Sequence, residues 1–254
     1  MTPIELLVRH ERRVLVAALI AVPVLCWAWI IPMGRDMYGA MAGSSAWMMT
    51  RAWDARHTSL LAAMWIVMMT GMMLPSAAPM LLIFAGVMRS SPDGARAAFR
   101  AYPLAAGYLL VWIGFSLVAT ALQRAIGAAI LTPMMTLRSS MIAAALFVVA
   151  ALYQVTPAKQ TCLDSCRSPI AFILARMRPG ASGAFRLGLA HGLSCVGCCW
   201  ALMLLLFAGG IMNLRTIVAL ALVVFVEKLE PFGLRTRQWN AVALAAAAVW
   251  VMVR

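Results

Sequence analysis

The sequence predicts an all-α integral membrane protein, a polytopic bundle of transmembrane helices. Hydrophobic residues make up 64% of the 254 residues, whereas charged residues make up only 11%. Long uncharged runs recur along the chain, and several reach the roughly 20 residues that cross a bilayer as a helix. Because the bilayer core offers no water to the backbone, such runs fold as helices. We therefore expect a single integral membrane domain over residues 1–254.

Seven apolar runs mark the expected membrane helices, and six is the alternative count. They cover residues 14–32, 59–88, 101–123, 139–157, 187–210, 212–230 and 238–253. The sixth run contains Arg215 and the seventh is short, so the sequence leaves open whether both of them span.

The first run follows three arginines, Arg9, Arg12 and Arg13, as the apolar core of a signal peptide does. It is longer than the roughly 7–15 residues of such a core and no cleavage site follows nearby, so we expect an uncleaved anchor helix. With the N-terminus in the cytoplasm, most Lys and Arg residues fall in cytoplasmic segments. This distribution agrees with the positive-inside rule and predicts a multi-pass protein with a cytoplasmic N-terminus.

The second run is unusually long and contains two prolines. It is uncharged from Thr58 to Met88, which as a straight helix would extend roughly 46 Å, more than the hydrocarbon core of a bilayer. Pro75 and Pro79 each remove a helical hydrogen bond. The sequence therefore predicts a long second helix that is kinked at the prolines or partly re-entrant.

The basic residues indicate contact with lipid. The net charge is +13 at pH 7, which suits the anionic surface of a lipid bilayer. The sequence contains no nucleic-acid-reading motif, phosphate-binding glycine loop, Ser/His/Asp arrangement or paired-carboxylate site. We therefore expect the bilayer, and no nucleic acid, as a partner, and we assign no catalytic residues.

A basic segment, residues 158–186, lies between the fourth and fifth runs, where this topology makes it a cytoplasmic loop. It holds Cys162 and Cys166 in a C-x3-C spacing, which puts both sulfurs on one face of a helix. Cytoplasmic thiols stay reduced and can bind metal, although two surface thiols without a function fit the same pattern. Pro169 then starts a predicted short interfacial amphipathic helix. Its apolar face consists of Ile170, Ile173, Leu174 and Met177.

A histidine and three cysteines crowd into the uncharged stretch from His191 to Trp200. His191, Cys195 and Cys198 fall on one helical face, with Cys199 at its edge. Imidazole and thiol groups are metal ligands, and such groups in a membrane-length segment usually mark a function. The spacing predicts a soft-metal site. The alternative is that the cysteines are only small packing residues.

Methionine is frequent, with 20 residues, and Met64, Met68 and Met72 repeat at helical spacing in the second run. Thioether sulfur is a soft ligand that suits Cu(I). These methionines are therefore candidate outer stations for Cu(I), or else pliable packing residues. Cys26, alone in the first run, is expected to pack against a neighbouring helix.

Two further polar residues lie where a metal site could use them. Glu227 is expected at the membrane depth of His191, where it could accept a hydrogen bond from the imidazole. The alternative is a boundary ion pair between Glu227 and Lys228. His57, three residues after Asp54, stands at the outer mouth of the second run as an outer ligand or as a solvated helix cap.

Several of these elements stand in a recognisable order along the chain. They are Trp53-Asp-Ala-Arg-His57, the run from Met64 to Met80, Tyr153-Gln-Val-Thr-Pro157, Cys162-x3-Cys166-Arg-Ser-Pro169, His191-Gly-Leu-x-Cys195-x-Gly-Cys198-Cys199-Trp200, Met212-Asn213-Leu214 and Glu227-Lys228. In this order they resemble a bacterial family of predicted metal-binding integral membrane proteins, from about residue 45 onward. The pair Arg215-Thr216 departs from that pattern, where a more apolar sequence is expected. The resemblance implies a bacterial inner-membrane location and a metal site, with no established reaction.

The sequence thus favours a protein that binds Cu(I), or moves it across or within the membrane, together with a metal donor or partner membrane protein. In this hypothesis His191, Cys195, Cys198 and Cys199 are the inner ligands. The two cysteines of residues 158–186 would exchange the ion with the cytosol. Two alternatives stay open: a membrane redox protein that holds an iron-sulfur cluster or haem through the same cysteines, and a metal-free structural or assembly subunit.

Overall fold

The computed structural model describes residues 3–39, 54–89, 97–132, 135–229 and 233–253. This part of the chain is all-helical, with one isolated β-bridge between Leu131 and Leu137, and the predicted all-α class is confirmed. Trp53, which begins the first element of the resemblance, lies outside the described residues. The helices are α1 (Pro3–Met37), α2 (Ala55–Arg89), α3 (Ala97–Ile130), α4 (Ser140–Gln154), α5 (Pro157–Arg167), α6 (Pro169–Arg176), α7 (Gly180–Gly209), α8 (Leu214–Lys228) and α9 (Gly233–Val253).

Fewer helices than predicted have the length and composition to cross a membrane. Within the described ranges there are four: Arg12–Met37, Ala55–Arg89, Arg100–Gly127 and Gly180–Gly209. Helices α4 and α5 would add a fifth if this bent pair is one broken span. The predicted count of six to seven is therefore not confirmed. Helices α4 and α8 have 15 residues each, about 22 Å of helix against a hydrocarbon core of roughly 30 Å.

Helix α2 runs unbroken through both of its prolines, so the predicted long second helix is confirmed, and a kink at the prolines stays a prediction. Pro75 has no N–H, and the carbonyl oxygen of Gly71, four residues earlier, therefore loses its helical donor. The indole N–H of Trp27 on α1 donates to that oxygen at 3.2 Å. A neighbouring helix thus replaces the hydrogen bond that the proline removes.

Helices α3 and α7 pack against each other through glycines. A β-carbon on Gly188 would overlap the carbonyl oxygen of Leu104, and one on Gly107 would overlap that of Phe185. Small residues at these positions allow the two backbones to approach closely, as in membrane helix bundles. This contact fixes the position of α7, which carries the histidine and three of the cysteines.

The chain turns sharply between α4 and α5, at an angle of 66°. The Thr156 side chain accepts a hydrogen bond from the Lys159 amide, and Pro157 occupies the first turn, so α5 begins with a side-chain cap and a proline. Residues 158–186, predicted as a loop, are largely helical. The turn directs α5, with both of its cysteines, onto α7.

Helix α6 corresponds to the predicted short amphipathic helix, and its location at a membrane surface stays a prediction. Phe172 and Ile173 are buried beneath it. Ile170 and Leu174, which we assigned to the same apolar face as Ile173, are 55% and 64% exposed. The helix therefore has apolar residues on both its packed and its open side.

One large buried core extends through α1, α2, α3, α7 and α8. It contains buried methionines of α2, among them Met64, Met68 and Met72, together with Cys195, Cys198 and Cys199 of α7. Sulfur-bearing side chains of two helices are therefore neighbours within one core.

Candidate metal centre

Helix α7 carries the predicted inner ligands on its buried side. His191, Cys195, Cys198 and Cys199 are all buried, with at most 2% of each residue exposed. The spacing i, i+4, i+7, i+8 places them along one side of the helix. All four side chains therefore lie inside the protein, and their use as metal ligands stays a prediction.

Gly197 allows α5 to bring a thiol against α7. A β-carbon at this position would lie 2.7 Å from the sulfur of Cys162. The Tyr153 hydroxyl, at the end of α4, donates to the Gly197 carbonyl oxygen, and its ring packs edge-on against Trp200 at 5.1 Å. The glycine within the Cys195-x-Gly197-Cys198 element therefore has a steric role.

The second cysteine of α5 lies among the thiols of α7. The Cys166 side chain makes hydrogen-bonding contacts with those of Cys195 and Cys198. Cys195 also contacts Cys199 in this way. All six cysteines of the chain are free. The C-x3-C pair and the α7 cysteines, which the sequence analysis treated as separate stations, thus form one thiol cluster: Cys162, Cys166, Cys195, Cys198 and Cys199.

The sulfur atoms of the thiol cluster are close together but not arranged around one centre. The thiols of Cys198 and Cys199 both donate to the carbonyl oxygen of Cys195, at 3.1 and 2.9 Å. Among the described residues, no group of three or more His, Cys, Asp or Glu side chains could hold a metal ion as it stands. Binding by several of these thiols would require side chains to rotate away from the backbone.

Cys195 sits at the centre of a polar network that the sequence analysis missed. Its sulfur lies 3.0 Å from the Lys228 ammonium of α8 and 3.2 Å from the Tyr108 hydroxyl of α3. The ammonium also donates to the Ser76 hydroxyl at 2.7 Å. Tyr108 and Ser76 both donate to the carbonyl oxygen of Met73, at 3.0 and 2.8 Å. Three helices other than α7 therefore position polar groups around this one thiol.

His191 has a buried imidazole nitrogen that finds no hydrogen-bond partner in the part of the chain that the structure describes. This atom is Nδ1, and the ring lies between those of Tyr108 and Phe172, each 5.6 Å away between centroids. A buried imidazole nitrogen without a partner is unfavourable unless something else binds it. It also lies one helical turn before Cys195, so it fits a ligand role.

Glu227 binds other partners than the expected His191. Its carboxylate accepts from Gln154 at 2.8 Å, Lys159 at 2.6 Å and Asn240 at 2.7 Å. Lys159 and Glu227 form a salt bridge whose side chains are 1% and 2% exposed. The predicted contact with the imidazole is therefore wrong, and so is the alternative pair with Lys228. Glu227 instead connects α8 to α4, α5 and α9.

The remaining predicted site residues lie away from the thiol cluster or pack beside it. Met64, Met68 and Met72 are buried, in agreement with either the packing or the ligand hypothesis. His57 is 5% exposed, so it is not a solvated cap; Asp54 caps α2 by accepting from the His57 amide. His57 lies 19 residues before Ser76 on α2, which separates the two residues by about 28 Å along the helix axis.

Lys228 and Tyr108 are the neighbours of the Cys195 sulfur that sequence reasoning did not place there. The signal for Lys228 was present, because an ionisable residue within an apolar run usually has a specific partner. Its partner could not be deduced, since Ser76 and Cys195 are 152 and 33 residues away in sequence. Tyr108 has no distinguishing sequence context.

These features define a helical, apolar protein with a buried cluster of soft, reduced sulfur ligands. The family described as PpoB2, a copper chaperone, has a model that matches residues 62–251. The match covers most of the chain, and the chain belongs to this copper chaperone family. The matched residues include the whole thiol cluster, His191 and Lys228. No curated protein and no solved structure matches the chain.

Proposed function

We propose that this protein is an integral membrane copper chaperone that binds Cu(I) at the thiol cluster and passes it to a partner protein. The observation that carries the proposal is the convergence of the two cysteine motifs, because Cys166 of α5 contacts Cys195 and Cys198 of α7. Thiolate ligands select Cu(I) over harder ions. The copper chaperone family supports copper as the cargo.

The ligand set consists of Cys166, Cys195 and Cys198, with Cys162 and Cys199 as adjacent thiols that can take over the ion. His191 adds an imidazole nitrogen that has no hydrogen-bond partner among the described residues. Several alternative ligands in one small volume suit a chaperone, because a protein that must release its cargo gains from ligands that can exchange stepwise.

Access to the cluster runs through α5. Cys162 and Cys166 are only partly buried, whereas the three α7 cysteines have almost no exposed surface. An ion from outside therefore meets the α5 thiols first. On the far side of the cluster, the buried methionines of α2 offer weaker soft ligands within the same core.

The protein spans a bacterial inner membrane with its N-terminus in the cytoplasm. Four long apolar helices, or five with the bent pair, support membrane integration. The positive-inside distribution supports the orientation. The resemblance of the Cys195-x-Gly197-Cys198-Cys199-Trp200 element to predicted metal-binding integral membrane proteins supports both the location and the use of the thiols.

Metal analysis of the purified protein tests the proposal. Full-length protein in mild detergent, loaded with Cu(I) under reducing, oxygen-free conditions, should retain copper after gel filtration. The single changes Cys166→Ser, Cys195→Ser and Cys198→Ser should each lower the copper content strongly. Cys26→Ser is the matched control, because Cys26 packs against Gly71 and lies outside the cluster.

Two results would contradict the proposal. Iron with acid-labile sulfide would identify a redox protein instead. Copper content that is unaffected in all three cluster variants would mean that these cysteines only pack, and a structural or assembly role would then explain them.

A further inference from the structure

We propose that Lys228 makes the thiol cluster selective for a monovalent over a divalent metal ion. The inference rests on the proposed Cu(I) site and concerns a residue that is not itself a ligand. Lys228 ends α8 with its ammonium 3.0 Å from the Cys195 sulfur and 2.7 Å from the Ser76 hydroxyl.

The position of Lys228 is set by the fold. The neighbouring residue Glu227 is held by Gln154, Lys159 and Asn240. Since consecutive helical residues point about 100° apart, anchoring Glu227 toward α5 directs Lys228 toward α2 and α7. Glu227 is thus occupied by other donors, and the carboxylate next in sequence does not neutralise the ammonium.

The charge balance of metal binding gives the ammonium its effect. When two thiols bind Cu(I), two S–H bonds break, two Cu–S bonds form and two protons leave to solvent, so the complex carries one negative charge. The same two thiolates with Zn(II) form a neutral complex. For any ligand set built from these side chains, the Cu(I) complex is one unit more negative than the Zn(II) complex.

A buried negative charge is costly unless a cation compensates it. The Lys228 ammonium therefore stabilises the Cu(I) complex more than the Zn(II) complex. Arg167, one residue after Cys166, donates to the carbonyl oxygen of Glu227. The positive charge of Arg167 is the same in the wild type and in the Lys228 variants. Removing Lys228 therefore still lowers the preference for Cu(I) over Zn(II).

The experiment compares metal preference in full-length protein purified in detergent. Cu(I) and Zn(II) affinities are each measured by competition with a chromogenic chelator, for wild type, Lys228→Met, Lys228→Gln and Lys228→Arg. The neutral variants should lose about tenfold or more of the Cu(I) over Zn(II) preference, from the Coulomb energy of one nearby charge at a partly exposed site. Lys228→Arg keeps the charge and should keep the preference.

The outcomes separate this inference from the function on which it rests. Wild-type protein that binds no Cu(I) would overturn the proposed function. Wild-type protein that binds Cu(I), with the same Cu(I) to Zn(II) ratio in both neutral variants, would overturn the role of Lys228 alone. An equal loss of preference in Lys228→Arg would also overturn it, because geometry and not charge would then be responsible. Gel filtration of each variant identifies misfolded protein, and two neutral side chains guard against the failure of one.

Discussion

The two lysines of the chain, Lys159 and Lys228, both lie at the C-terminal end of α8 but have different partners. Lys159 of α5 is fully buried and pairs with the carboxylate of Glu227 at 2.6 Å. Lys228 of α8 is partly exposed and donates to a thiol and a hydroxyl, those of Cys195 and Ser76. Lys159 therefore has a carboxylate as its counter-charge, whereas Lys228 donates to a neutral hydroxyl and to a thiol that loses its proton when it binds a metal ion.

The different partners of the two lysines indicate a structural role for Lys159 and, in our proposal, a functional role for Lys228. Lys159 and Glu227 fix α5 relative to α8, and Arg237 of α9 extends this connection by donating to the carbonyl oxygens of Gln154 and Thr156. Lys228 leaves a positive charge beside the thiol cluster, where its ammonium donates to the Cys195 sulfur and the Ser76 hydroxyl. The Lys159–Glu227 pair therefore fixes the helix that carries Cys162 and Cys166. In our proposal, Lys228 sets the electrostatic potential at the thiol cluster.

The largest expected effect on stability comes from breaking the salt bridge between Lys159 and Glu227. Lys159→Met leaves the Glu227 carboxylate without its cation in a buried position, so the free energy of unfolding should fall by about 3–5 kcal/mol. Denaturation of the purified protein in detergent, followed by circular dichroism, measures this loss. The double change Lys159→Met with Glu227→Leu should recover most of it, because no unpaired charge remains. A double variant less stable than the single one would show that the pair is not the source of the effect.

Gly197→Ala tests the opposite side of α5. The added β-carbon would lie 2.7 Å from the Cys162 sulfur, so α5 must shift, at a cost of about 1–3 kcal/mol in the free energy of unfolding. Alkylation of Cys162, mapped by mass spectrometry, should become faster as its sulfur leaves α7. Gly114→Ala is the matched control, since a β-carbon there meets nothing within 4 Å. Equal alkylation in both variants would mean that Gly197 does not position the thiol.

Lys228→Met should change stability less than Lys159→Met does. It removes hydrogen bonds to Cys195 and Ser76 from a partly exposed ammonium but leaves no carboxylate unpaired, so we expect a loss of about 1–2 kcal/mol. The same denaturation assay measures it. A loss as large as that of Lys159→Met would erase the distinction between the two lysines.

A labelling experiment tests the orientation without changing stability. In intact cells, Cys162 and Cys166 should react with a membrane-permeant thiol reagent and resist an impermeant one, because the proposed topology puts the basic segment around them on the cytoplasmic side. Rapid reaction with the impermeant reagent would invert the proposed topology.

Local features of this fold could be predicted from the sequence, and long-range contacts could not. The helical class, the long second helix and the shared face of His191, Cys195 and Cys198 follow from composition and from a period of 3.6 residues. The predicted number of membrane helices is not confirmed, because an apolar run does not reveal where a helix ends: α4 stops at Gln154, and Thr156 and Pro157 begin a new helix.

At the site, the sequence-based predictions failed mainly for the partners of the charged residues. Glu227 was placed at the depth of His191 by counting residues along one helix, but depth does not determine the direction of a side chain. The bend between α4 and α5 brings Lys159 to Glu227, and no local pattern encodes a 66° angle between two helices. The same bend unites Cys166 with the α7 thiols, which is why one cluster was predicted as two stations.

The central claim is that thiols of α5 and α7 bind one Cu(I) ion together. X-ray absorption at the copper edge, on Cu(I)-loaded full-length protein, tests it directly by counting the sulfur atoms around the metal. We predict a first shell dominated by sulfur, in which Cys166→Ser on α5 and Cys195→Ser on α7 each reduce the sulfur count. A first shell of nitrogen and oxygen alone, or a sulfur count that neither change alters, would contradict the account.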